Sequence, residues 1–187
     1  MSQGAPKMNK LVEKNNEISS AQEDLIMKYL SFLLGDKSYA ISILKIKEII
    51  EYGTVTPIPK MPDFICGAIN LRGKLVPVID LLERLGNGQS KIGKRSCIVI
   101  VEMAFGKNIL NIGVIVDAVS RVMDFKKSDI ESAPSFGGTI ETDFIEGMGK
   151  IDDEFVIILN IDCILSLGDL TLLAASEGVD SPVAKDE

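Results

Sequence analysis

Residues 88–95 read Gly-Gln-Ser-Lys-Ile-Gly-Lys-Arg and come within one position of the phosphate loop GxxxxGK[ST]. In that loop the last hydroxyl ligates Mg²⁺, and amides at a helix N-terminus converge on the phosphates. Here Arg95 replaces the hydroxyl and Ser96 comes one position late. The segment also runs into the apolar stretch 97–101, which predicts a strand where the motif needs a helix. A solvated loop is expected, with no nucleotide. The acidic residues Glu141, Asp143, Asp152, Asp153 and Glu154 invite a metal or a carboxylate pair. Their spacing matches neither an EF-hand loop nor HExxH, and Asp152-Asp153 is better read as turn chemistry between two strands.

The sequence contains no histidine, which removes the commonest general base and metal ligand and excludes Ser-His-Asp and Cys-His catalysis. The three cysteines, Cys66, Cys97 and Cys163, are widely spaced and form no CxxC pair, so neither a disulfide framework nor a zinc site is supported. Each lies in or beside an apolar run and is expected to be a small buried hydrophobe. Arg72, in Asn70-Leu71-Arg72-Gly73, is different: it stands between two expected strands, next to a glycine that permits unusual backbone. It fits either a solvated loop arginine or an interface arginine, a residue type enriched where binding energy concentrates. No catalytic residue, metal or cofactor is expected.

The elements that must position these residues are mostly strands. Residues 29–34, the turn Gly35-Asp36-Lys37 and the alternation at Tyr39, Ile41 and Ile43 predict a hairpin. Residues 44–50 read as a short helical turn running into a strand. Three prolines between 55 and 62 predict an extended loop. Residues 67–73 read as a strand and a turn. Residues 75–81 read as a strand that Pro77 should place at an edge or bulge. Asp80 should cap a short helix that Gly86 stops. Further short strands are expected at 97–101, 112–116, 119–123, 145–151 and 155–161, with a polar loop at 126–142 and a closing helix up to Gly168. Eight to ten short strands without long crossover helices predict an all-β fold, mainly β with short helices, of barrel or sandwich type.

With 187 residues, 46% hydrophobic and 25% charged, the chain can bury one core or two small ones. A net charge of −7 and 5% aromatics disfavour nucleic acid as a partner. No run approaches the roughly 18 apolar residues that span a bilayer, and the N-terminus lacks the apolar centre of a signal peptide, so a cytoplasmic setting is expected. Residues 1–24 and 175–187 are polar and are expected to be flexible tails.

Several blocks, in order, resemble the CheW family: Tyr29 to Ile43, Lys45 to Ile50, the run Pro-Asp-Phe-Ile-Cys-Gly-Ala-Ile-Asn-Leu-Arg-Gly at 62–73, Val-Pro-Val-Ile-Asp-Leu at 76–81, Gly-Val-Ile-Val-Asp-Ala-Val at 113–119 and Phe-Ile-Glu-Gly-Met-Gly at 144–149. The likeness runs from about 27 to 168. It implies two intertwined SH3-like five-stranded β-barrels within a CheW-like domain at 25–170, the first subdomain near 25–86 and the second near 96–160, with chain exchange between them.

The likeness also implies a non-catalytic adaptor in bacterial chemotaxis. Such an adaptor couples the cytoplasmic tip of methyl-accepting receptors to the regulatory domain of the histidine kinase CheA. It works in the cytoplasm, recruited to membrane receptor arrays and not inserted in the membrane. The alternative in the same fold is a scaffold of a non-chemotaxis chemosensory pathway, with surface motility or a second messenger as output. The partner-binding positions that carry over are Ile46, Glu48, Gly67, Arg72 and Gly113. A pairing of Glu48 with Arg72 inside the fold is the structural alternative for those two. The polar tail before residue 25 is longer than a minimal member needs, the 86–94 loop is locally variable and the tail after about 174 matches no family motif, which leaves the particular receptors and kinase open.

Overall fold

The computed structural model describes residues 25–132, 143–151 and 154–177. The expected tail 1–24, the Asp152-Asp153 turn and most of the expected tail 175–187 lie outside them. Among these described residues eleven strands dominate: β1 (Ile26–Leu34), β2 (Lys37–Ser42), β3 (Ile46–Glu51), β4 (Ile65–Leu71), β5 (Lys74–Asp80), β6 (Cys97–Phe105), β7 (Asn108–Val116), β8 (Ala118–Lys126), β9 (Ile130–Glu131), β10 (Ile145–Ile151) and β11 (Glu154–Leu159). Two helices accompany them, α1 (Leu81–Arg84) and α2 (Leu167–Glu177), with short 3₁₀ turns at Ile43–Lys45, Lys127–Asp129 and Ile161–Cys163.

The strands form two sheets. Sheet I has the order β8-β1-β2-β11-β10-β9, and sheet II the order β3-β6-β7-β5-β4. The mainly-β expectation therefore holds, but the sheets have six and five strands and neither is closed by a continuous ladder. Sheet membership follows neither half of the chain. Sheet I takes strands from both ends of the sequence and sheet II takes the middle. The chain crosses from I to II through the 3₁₀ turn Ile43–Lys45, and returns through the single residue Asp117 between β7 and β8.

Burial explains the long apolar runs. Val99, Val101, Met103 and Phe105 on β6, with Leu110, Ile112, Val114 and Val116 on β7, pack against Leu30, Phe32, Leu34, Tyr39 and Ile41 of sheet I in a shared core. The alternate residues Ile98, Ile100 and Ile115 turn the other way, into a cluster with Ile69, Val76 and Val78 that belongs to sheet II alone. Sheet I has its own cluster of Tyr29, Ala40, Met123, Phe125, Val156 and Ile158. Central strands covered on both faces read as unbroken apolar runs because water meets neither face. Strands β6, β7 and β8 are nine residues each, longer than their apolar centres.

Four local expectations are corrected. Strand β5 lies between β4 and β7, so Pro77 is neither at an edge nor in the bulge. Ala68, its partner across β4–β5, spends both backbone groups on Thr56, and the parallel pairing to β7 starts only at Val78. The missing amide of Pro77 is therefore not called on. The closing helix begins where it was expected to end: α2 contains Gly168 and continues to Glu177, into the stretch expected as tail. Ser166 and Asp169 start it reciprocally, Ser166 N donating to Asp169 Oδ2 at 2.9 Å and Asp169 N to Ser166 Oγ at 3.2 Å. The cysteines are not all buried: Cys66 and Cys97 are half-buried and Cys163 is exposed. The loop expected at 126–142 also begins with a 3₁₀ turn and the short strand β9.

Candidate functional site

Strand β3 carries the first part of the site. Ile46 pairs with Val101 and Glu48 with Ile100, so one extra residue bulges between them. In an unbulged strand residues 46, 48 and 50 would share a face. Here Ile46 packs into the shared core, while Ile50 packs into the cluster of sheet II. The bulge therefore re-aims Glu48 to the sheet II side, beside Lys47. Lys47 Nζ reaches Glu102 Oε1 and Asn111 Oδ1, both at 3.0 Å, on the facing pair of β6 and β7.

The second part is the β4–β5 hairpin. Leu71 pairs with Lys74, leaving Arg72-Gly73 as a two-residue turn with φ of 54° and 85°. Two positive φ values mark the turn type whose twist suits a hairpin and which ordinarily takes Asn-Gly. Asn70 Oδ1 accepts the Gly73 amide at 2.8 Å and closes the turn. Arg72 is one of two non-glycine residues with positive φ among the described residues. Arginine there carries a left-handed penalty of about 1 kcal/mol or more.

The two parts meet. Arg72 Nη2 donates to Glu48 Oε2 at 2.8 Å, with the arginine side chain 79% exposed and the glutamate 21%. Strands β3 and β4 are opposite edges of sheet II, so this contact requires the sheet to curl until its edges approach. Lys47, Glu48, Leu71, Arg72, Lys74, Val76 and Asn111 line a groove of about 210 Å³ at the end of the sheet II cluster. Its rim is charged and its floor is apolar.

The other candidate residues are elsewhere. Gly67 is buried with φ of 145°, and a Cβ there would lie 2.1 Å from Thr56 O. That close approach permits the paired bonds between Thr56 and Ala68, at 2.9 and 2.8 Å. Gly113 is buried in β7, where a Cβ would lie 2.7 Å from Ile98 Cγ2 and 3.2 Å from Val78 Cγ2. Ile46 is half-buried against the shared core. Of the five positions, the structure joins Glu48 with Arg72, the pairing expected as the structural alternative for those two, and places the glycines where backbone and packing demand them. Sequence reasoning missed Lys47, Lys74 and Asn111. A trace of the bulge was present in the spacing of Ile46 and Ile49, which breaks a period of two.

Asp80 and the near-match to a phosphate loop prove to be one structural unit. Asp80 is 4% exposed; its Oδ1 accepts from Leu82 N, Glu83 N and Ser90 Oγ, and its Oδ2 accepts from Ser90 N at 2.7 Å. The Ser90 and Gly93 amides of the loop are thus engaged within the fold. Among the described residues no group of three His, Cys, Asp or Glu side chains could hold a metal ion. Cys66 lines a cavity of about 390 Å³ with Tyr52, Met61 and Asp80. Burial, chiefly, and the nearby Asp80 and Glu83 charges push its thiol up to about 11.

A family model described as the CheW-like domain matches residues 28–168. The chain is 36% identical over 153 residues to the chemotaxis protein CheW of Klebsiella aerogenes, covering 82% of this chain and 90% of that one. It is 34% identical over 139 residues to the chemotaxis protein CheW of Bacillus subtilis, covering 74% and 86%. Its fold superposes with a TM-score of 0.69 on the crystal structure of the scaffolding protein TtCheW from Thermoanaerobacter tengcongensis, at 38% identity, covering 78% of this chain and 91% of that one. With two open sheets in the expected order of motifs, and relatives this similar over most of both lengths, the chain belongs to the CheW family.

Proposed function

We propose that this chain is a non-catalytic adaptor that couples methyl-accepting chemotaxis receptors to a CheA-type histidine kinase. The observation that carries this reading is the Glu48–Arg72 mouth. A strained hairpin turn holds a guanidinium 79% exposed, beside a carboxylate that a bulge has turned toward it. Strain retained at an exposed polar residue is a mark of function. The charges set orientation and partner choice, and Leu71 and the neighbouring apolar surface supply affinity. On this reading Glu48 and Arg72 contact a partner, while Ile46, Gly67 and Gly113 hold the surface in shape.

The finer assignments follow the same reading. The partners are the regulatory domain of the kinase and the cytoplasmic tip of the receptor. Many modest contacts of this kind, repeated in an array, give avidity. The setting is the cytoplasm, with recruitment to membrane arrays through receptors. No helix among the described residues is long and apolar enough to cross a membrane. The CheW-like domain spans 25–170, and each sheet is the wall of an SH3-like barrel. Two features support the barrels. Strands β8 and β9 are opposite edges of sheet I yet are joined by a three-residue 3₁₀ turn, and Thr56, beyond β3, bridges to β4 at the other edge of sheet II. No residue described favours a surface-motility or second-messenger output.

The test is a pull-down of the full chain with the cognate kinase and a receptor cytoplasmic fragment. Arg72→Ala is expected to weaken at least one of the two while leaving the melting temperature within a few degrees. Unchanged affinity for both partners would make Arg72 a structural residue and remove the main support for this reading.

A further inference from the structure

Lys91, Lys94 and Arg95 are exposed on the loop that leads into β6, and they line one cavity of about 330 Å³ with Leu33, Gly35, Gly93, Ser96, Asp117 and Ala118. The cavity lies on the seam between the sheets, beneath the single residue through which the chain passes from β7 to β8. Lys28, Lys45, Lys47, Arg72 and Arg84 each meet a carboxylate. Lys91, Lys94 and Arg95 meet none among the described residues. Asp117, at the cavity wall, accepts the Gly35 amide on its Oδ2 at 2.6 Å. The chain as a whole carries −7, so the seam is a local inversion of its sign.

We propose that this seam is a docking surface for an acidic segment of a partner protein. The loop is held at both ends: Ser90 bonds Asp80 through its amide and hydroxyl, each at 2.7 Å, and Gly93 N donates to Ser96 Oγ at 2.8 Å while Ser96 N donates to Gly93 O at 3.1 Å. Cations presented from a pinned loop lose little freedom on binding. The same bonds consume the amides of Ser90, Gly93 and Ser96, so they cannot form a backbone cradle around one phosphate. Three side-chain charges spread over five residues suit an extended run of carboxylates, and Leu33 and Ala118 give an apolar side chain a floor. The surface shares no lining residue with the Glu48–Arg72 groove. It therefore offers a second contact that stands or falls separately from the adaptor reading.

The experiment titrates the full chain into a short fluorescein-labelled Glu/Leu peptide and reads anisotropy at low and high salt. K91E/K94E/R95E is expected to weaken binding about tenfold or more, and salt to weaken the parent similarly. K60E/K107E/K127E changes net charge equally at exposed positions elsewhere and should leave affinity within about twofold. Arg72→Ala should leave it unchanged. Equal loss in both triple variants, or no binding by the parent chain, overturns the proposal. So does displacement of the peptide by inorganic phosphate or a single-stranded oligonucleotide at lower concentration, since the seam would then recognise phosphate. Should the reversal variant melt early, K94Q/R95Q supplies the same comparison with a smaller expected loss.

Discussion

Arg72 occupies a backbone well that glycine enters freely and arginine does not, and its one exposed ion pair returns less than about 1 kcal/mol. Arg72→Gly should accordingly match or exceed the parent in denaturant midpoint while losing the partner contact. A clear drop in the midpoint would show that the guanidinium stabilises the fold. Gly67 behaves oppositely. Gly67→Ala drives a Cβ into Thr56 O and is expected to cost about 2 kcal/mol or more by urea unfolding, with faster amide exchange at Thr56 and Ala68. On the proposed reading, a single family motif contains one residue kept for its surface and one kept for its missing side chain. Arg72 was legible as a special position from its place between two expected strands, whereas Gly67 entered only through the family likeness. Which demand applied depended on the neighbouring strand, which lies in another part of the sequence.

Asp80 shows how an element depends on one side chain. It ends β5, caps α1 and fastens the loop to Ser90 with the same carboxylate. Asp80→Ala should lose about 2 kcal/mol or more in urea unfolding, and should raise exchange of the Ser90 amide more than that of the β5 amides. The cap was readable from Asp80 followed by Leu-Leu-Glu-Arg and Gly86, because capping is decided within a few residues. The link to Ser90 was not, because nothing local announces which donor a spare carboxylate oxygen will meet. The start of α2 was missed: Ser166 with Asp169 three positions on before an apolar run carries the signal, but Gly168 drew attention to the wrong end. The interior position of Pro77 could not be read, since it rests on Ala68 having already paired with Thr56.

The whole molecule has no histidine to titrate near neutrality, so its stability should be flat from about pH 6 to 8. Burial raises the thiol of Cys66 and the phenols of Tyr29, Tyr39 and Tyr52 above their usual ranges. Such groups favour the folded state fully below their unfolded values. They lose that contribution as pH climbs through the folded ones. Melting temperature should therefore fall from about pH 9 upward, and Cys66 should alkylate more slowly than exposed Cys163 at pH 8, read by mass spectrometry. A profile that is flat through pH 11 would contradict this. By itself the sequence determined the strand-rich class, the short capped helix, the absence of histidine chemistry and the family, because periodicity, caps and ordered motifs are written along the chain. Only the tertiary structure decided that the ends of the chain share sheet I, that a bulge turns Glu48 to Arg72, and that a would-be phosphate loop is a pinned row of cations. Those facts come from strand pairings and contacts between residues far apart in sequence, and no window of residues contains both partners.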